Sequence, residues 1–216
     1  MKKVPGNPLP RAFALRELLV IIAVSILLAV VVVMELFKAR STGRGICCNC
    51  HLKQIGLAFR TWALDHTGNN PMVLSTNAGG TFEYFSTGET FRHYEIISNE
   101  LSTPLILACP MDTRKPARSF GEGFSNANLS YFAGFVTNGD SPQMFLAGDR
   151  NLTGGIARPF GVMDFATNSP IQWTAGMHKK GGNIGLADGS VQQFSNARLG
   201  QALGQAGRPA NTLSLP

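Results

Sequence analysis

No acidic residue precedes Glu17, and Lys2, Lys3 and Arg11 give that opening stretch charge of one sign only. A dense basic stripe is missing from everything that follows. The net charge is +6, but without residues 1–12 the chain keeps 16 basic and 13 acidic residues, a net +3. Lys179–Lys180 is too short a run to track a phosphate backbone, which argues against nucleic acid as a partner. The G-x-S-x-G, H-E-x-x-H and P-loop patterns are all missing, so the residues are read as non-enzymatic. The EF-hand calcium loop is missing as well. No period of 20–50 residues repeats, which excludes solenoids and propellers.

One long apolar run is present. From Leu18 to Met34 only Ser25 is polar. As a helix those residues span about 26 Å at roughly 1.5 Å per residue. Adding Phe13, Ala14 and Leu15 brings the run close to the roughly 20 residues that cross a bilayer. The run is long for a secretory signal, and "ELFKAR" follows it in place of a small-residue cleavage site. Retention as an anchor is expected. The basic stretch before it places the N-terminus in the cytoplasm and the rest of the chain outside.

Glu17 is the anomaly, because a carboxylate at membrane depth costs a few kcal/mol. It can be solvated at the interface beside Arg16. A cut between Ala12 and Phe13 offers a second solution. Glu17 then becomes the fifth residue of the mature chain. The new α-amino group of Phe13, on a neighbouring subunit, supplies the missing cation.

"AFALRELLVIIAVSILLAV" resembles the N-terminal signature of type IV pilins and type II secretion pseudopilins. That resemblance implies cleavage and N-methylation at Phe13 by a prepilin peptidase. It also implies assembly with other pilin or pseudopilin subunits through the N-terminal helix, with Glu17 as the assembly residue. The bacterial inner membrane would hold the precursor as a single-pass protein. The family usually has Gly where this chain has Ala12, and an uncharged residue at Arg16.

Beyond "KARSTGRGI", whose Gly43 and Gly45 predict a bend or local melting, the apolar pattern resumes. Cys48, Leu52, Ile55, Phe59 and Trp62 are spaced 4, 3, 4 and 3 apart, one face of an amphipathic helix. "HTGNNP" ends it. "TFEYF", "LILACPMD", "NLSYFAGFV", "MFLAGD" and "NIGLADGSVQQF" read as strands between turns. Asp188-Gly189 signals a two-residue hairpin. A short helix is expected from Asn196, and "GRPANTLSLP" is expected to be loosely held.

The expected fold is therefore α+β. A long N-terminal helix, membrane-spanning in its first half and amphipathic in its second, packs on a small antiparallel β-sheet with long loops. The expected organisation is a cleaved leader at 1–12, a transmembrane helix at 13–34 and an amphipathic extension at 35–67. An exported β-rich domain at 68–195 and a tail at 196–216 follow.

A second set of motifs narrows the resemblance. "HLKQIGLAFRTWALDHTGNNP", "ACPMD", "SYFAGF" and "MHKKGGNIGLADGSVQQF" occur in that order. Together they resemble a bacterial pseudopilin-like group with a C-terminal His-x9-Asp-Gly element, here His178, Asp188 and Gly189. His51 stands where Asn is more usual, and Cys47 and Cys50 are extra.

Four cysteines allow three pairings. Cys48–Cys109 is favoured, because it would tie the inner helix face to the "ACP" segment. Zinc bound by Cys47, Cys50 and His51 is the rival reading, with the right spacing but no second cysteine pair. His178 is expected to fix the hairpin through a backbone group of the "GGN" turn or through Asp188. Asp112, Asp140, Asp149 and Asp188 fall in turns and are read as turn caps. The resemblance adds a candidate calcium site at Asp149 and Asp188, and no other cofactor is implied. "NLS" at Asn128 and "NLT" at Asn151 match glycosylation acceptors but are read as chance turns. A non-polymerising, membrane-anchored binding module remains the alternative to a filament subunit.

Overall fold

A computed structural model describes residues 15–137, 141–207 and 210–216. It divides into two units, Met1–Gly43 and Arg44–Pro216. Helix α1 (Leu15–Asp65) contributes to both.

In the first unit every described side chain from Leu15 to Phe37 is exposed, although nearly all are apolar. This helix is long and apolar enough to cross a membrane. Helix α1 runs on through Gly43 and Gly45. Glycine is tolerated because each costs only about 1 kcal/mol in a helix interior.

The second unit begins with residues 44–65 of α1. Cys48, Leu52, Ile55, Phe59 and Trp62 are all buried, as their spacing requires. The helix ends where Thr67 and Gly68 adopt left-handed backbone, and the Gly68 N–H caps the Ala63 carbonyl at 2.7 Å. Short helices α2 (Thr90–Glu95) and α3 (Ser98–Leu101) follow. The strands are β1 (Tyr131–Gly134), β2 (Phe145–Asp149), β3 (Leu152–Thr153), β4 (Ile156–Ala157) and β5 (Val162–Ala166). Next come β6 (Gln172–Trp173), β7 (Gly181–Leu186), β8 (Val191–Ser195), helix α4 (Asn196–Gln205) and β9 (Ala210–Ser214).

Seven strands form an antiparallel sheet in the order β4-β5-β9-β1-β2-β7-β8, and β3 pairs with β6 separately. Side chains alternate across it. Tyr131, Ala133 and Leu146 share a core with the buried face of α1. Phe132, Phe145, Ile184, Leu186 and Leu213 share a second core with Trp173 and with Leu199 and Leu203 of α4. Both faces are thus covered. Each fully buried Phe or Leu contributes about 1.5–3 kcal/mol. A register shift between Phe145 and Ala147 interrupts the β2–β7 ladder.

Four local expectations change. "TFEYF" is a 3-10 turn, Phe82–Phe85, rather than a strand. Its N-terminus is bonded into the preceding loop, Thr81 N–H to Pro71 O and Phe82 N–H to Leu74 O. "LILACPMD" opens with a 3-10 turn, Pro104–Leu107, because Pro104 fixes its first residue and Thr103 caps it. The hairpin loop holds three residues, Ala187, Asp188 and Gly189, not two. It closes through Leu186 N–H to Ser190 O at 2.8 Å and Gly189 N–H to Leu186 O at 2.9 Å. Residues 210–214 are not loose: β9 lies inside the sheet between β5 and β1, with Asn211, Leu213 and Ser214 buried.

Candidate functional site

The functional-looking residues of the second unit gather beside one disulfide. Cys48, on the buried face of α1, is bonded to Cys109 across 61 residues of chain, with their Cα atoms 5.4 Å apart. Both cysteines are buried. The rest of the cysteine pattern follows from this: Cys47 and Cys50 are free and exposed. The zinc set Cys47, Cys50 and His51 is not brought together as a cluster among the described residues. Burial lowers the pKa of His51, opposed by its hydrogen bond to the backbone of Ala108.

The His178 ring, expected to meet a backbone group of the "GGN" turn or Asp188, reaches instead to the disulfide. Its Nε2 lies 3.3 Å from Cys109 Sγ and 3.3 Å from Asp149 Oδ2. Its side chain is only 4 % exposed and that of Asp149 is fully buried. Asp149 ends β2, and its Oδ2 also accepts from Asn183 N–H at 2.7 Å and from Asn183 Nδ2 at 3.0 Å. A buried carboxylate needs such donors, since its charge is otherwise unsatisfied. Its other oxygen, Oδ1, has no hydrogen-bond partner.

The backbone that delivers His178 is unusual. His178, Lys179 and Lys180 have φ of 48°, 52° and 65°, three successive left-handed residues without a glycine. The Gly181 N–H closes this turn onto the His178 carbonyl at 3.1 Å. Asn151 Nδ2 donates to the carbonyls of Thr174, Met177 and Gly181, holding both sides of it. Gly182 is needed next, because a Cβ there would meet the Trp173 ring at 2.6 Å.

The His-x9-Asp-Gly element therefore brackets β7. His178 stands at its entry and Asp188-Gly189 at its exit. There Asp188 Oδ1 accepts from Ser190 N–H, and the Asp188 carbonyl accepts from Arg60 Nη1, both at 2.8 Å. Gly189 has φ of 85°, where a side chain would be strained. The candidate calcium pair is split by the same strand. Asp149 lies beside Asn183 near the start of β7, and Asp188 lies beyond its end. Asp112 holds Arg150 through Nε at 2.8 Å and Nη2 at 2.9 Å. Burial alone would raise the Asp112 pKa, but hydrogen bonds from Arg150, Ser130 and the Thr113 backbone, with the Arg150 charge, together hold the carboxyl at about 2.

Among the described contacts, none threads a proton through both ring nitrogens of His178. A relay passes a proton between the two ring nitrogens of a histidine. Here sulfur and carboxylate both meet the same nitrogen, and the sulfur is already bonded. Asn151 and Asn128, the two matches to glycosylation acceptors, have internal roles. Asn151 is buried against the His178 turn, and Asn128 Oδ1 accepts from the Ser125 N–H. Spacing gave no sign of the Asp149–His178 contact. The only cue was that both residues lie next to apolar strand segments.

In the first unit, Glu17 is exposed on α1. Ala12, Phe13 and Asp140 lie outside the described residues. No family model, no curated protein and no solved structure matches the chain.

Proposed function

We propose that this chain is a structural subunit of a type IV pilus or of a type II secretion-type pseudopilus. The observation that carries the reading is the character of the first unit. An unbroken apolar helix exposes its side chains all round, and its early acidic residue is Glu17. The second unit supports the reading by what it does not need. It buries two cores of its own without drawing on residues 15–37.

In this reading a prepilin peptidase removes residues 1–12. The precursor sits in the inner membrane with its N-terminus cytoplasmic. The freed amine of Phe13 on one subunit then pairs with Glu17 of the next. Inside an apolar helix bundle the mutual attraction of that pair offsets part of the cost of taking both charges out of water. Apolar side chains from Leu18 to Met34 exchange lipid for packed neighbours. A tethered binding module that never polymerises shares the anchor but not the charge pairing.

Cross-linking in cells separates the two. Cysteines introduced on adjacent faces of the apolar segment are expected to give a ladder of oligomers, and Glu17→Ala to abolish it. N-terminal sequencing of the mature protein is expected to begin at an N-methylated Phe13. A mature chain that keeps residues 1–12 would overturn the filament reading.

A further inference from the structure

We propose that Cys48, Cys109 and His178 form a redox-gated metal site: reduced, they bind one thiophilic dication of the Zn2+ class, and the disulfide excludes it. The two sulfurs and the His178 ring nitrogen lie within 4.8 Å of one another. They come from three separate segments: α1, the loop after Leu107, and the turn before β7. A tetrahedral zinc site places two sulfurs about 3.8 Å apart and sulfur and nitrogen about 3.5 Å apart. The present Cys109 Sγ to His178 Nε2 distance of 3.3 Å is close to that spacing. Reduction frees the two sulfurs to part, a change that side-chain rotation supplies.

A second observation points the same way. His178 Nε2 faces a sulfur and a carboxylate oxygen at once, both of them acceptors. Once the disulfide is reduced, thiolate sulfur and imidazole nitrogen are both donors of the kind a thiophilic cation takes. Asp149 supplies fixed negative charge 3.3 Å from the ligating nitrogen, and its buried Oδ1 lacks any hydrogen-bond partner. Asp149 meets the ligating nitrogen itself and not the other ring nitrogen, so it supplies negative charge beside the site and does not orient the ring.

The chemistry balances with a dithiol as reductant. The Cys48–Cys109 bond breaks. The dithiol gives two electrons and two protons and becomes a disulfide itself. Zn2+ then displaces the two thiol protons to solvent, forming two Zn–S bonds, and the His178 lone pair forms a Zn–N bond. A disulfide oxidant reverses the sequence: it accepts the two electrons, the S–S bond re-forms and the ion leaves. Either state ties α1 to the loop at Cys109. The inference does not depend on the filament reading.

The test uses the full chain in detergent micelles, reduced with a phosphine, stripped of metal and titrated with Co2+. One Co2+ per chain is expected, with thiolate charge-transfer bands and tetrahedral d–d bands that Zn2+ abolishes. The oxidised chain is expected to show none. Cys47→Ser/Cys50→Ser should keep the full signal. His178→Ala, which removes a ligand, should weaken binding about tenfold or more. Alkylation mapping needs no variant: Zn2+ should protect Cys48 and Cys109 of the reduced wild type and leave Cys47 and Cys50 reactive. Absent bands in the reduced wild type, or protection that falls on Cys47 and Cys50, would overturn the proposal.

Discussion

His178 and Asp149 meet at 3.3 Å, Nε2 to Oδ2, in a place water does not reach. The contact spans the entry to β7 and the end of β2, so it holds the left-handed turn against the sheet. Removing the ring leaves the carboxylate with the Asn183 donors alone. His178→Ala is therefore expected to destabilise the fold by about 1–3 kcal/mol, the scale for leaving a buried acceptor without its donor. Urea unfolding of the oxidised chain, with chelator present, measures it. A loss of only a few tenths would mean that the pair is not coupled.

The disulfide closes a loop of 61 residues. On the chain-entropy model that stabilises the fold by roughly 4 kcal/mol. Cys48→Ser and Cys109→Ser should each lower the melting temperature in metal-free buffer, and reduction of the wild type should do the same. Cys47→Ser and Cys50→Ser, at exposed positions, should change stability by less than about 0.5 kcal/mol.

His93 is buried, with Nδ1 2.8 Å from Thr81 Oγ1, and burial lowers its pKa to about 3. The unfolded chain takes up this proton near the ordinary histidine value of about 6.5, the native chain only near 3. Between those values the unfolded state binds more protons, so stability rises with pH across the window and levels off above it. Urea midpoints measured from neutral pH down to about pH 4 should fall. In His93→Gln that part of the slope should vanish. An unchanged slope in the variant would show that other groups set the acid sensitivity.

Lys180 has φ of 65° without being glycine. Left-handed backbone costs a side-chain-bearing residue roughly 1 kcal/mol or more, which offsets the extra chain entropy glycine loses on folding. Lys180→Gly is expected to stabilise the protein by a few tenths to about 1 kcal/mol, against the usual direction for glycine. Thermal unfolding gives the sign. Destabilisation would mean that the lysine side chain makes up for its strained backbone.

Local periodicity made half of this fold legible. The 4-3-4-3 spacing from Cys48 to Trp62 specifies a buried helix face whatever it packs against, and Asp188-Gly189 specifies a reversal. What it left hidden depends on distant chain. Phe82, Tyr84 and Phe85 have strand-forming side chains, yet backbone bonds from Pro71 and Leu74 and the turn at Gly88 wind them into a 3-10 turn. The segment around Asn211 looks like a tail because it is polar. It becomes a strand because β1 and β5 each offer it a free edge, and Ser214 finds Thr90 at 2.8 Å. At the site, the disulfide was legible from the helix face, while the Asp149–His178 contact arises only once β2 and β7 pair.

The position of β9 also sets a timetable. Pairing of β1, β2, β7 and β8 needs only residues that the ribosome has already delivered, whereas the β4–β5 hairpin has no neighbour to join until residues 210–214 emerge. Closing so long a loop is slow. The sheet is thus completed only once β9, the last of the described strands, has been made. Ribosome-stalled chains ending near residue 205 should remain open to protease, and protection should arrive abruptly once β9 is free of the exit tunnel.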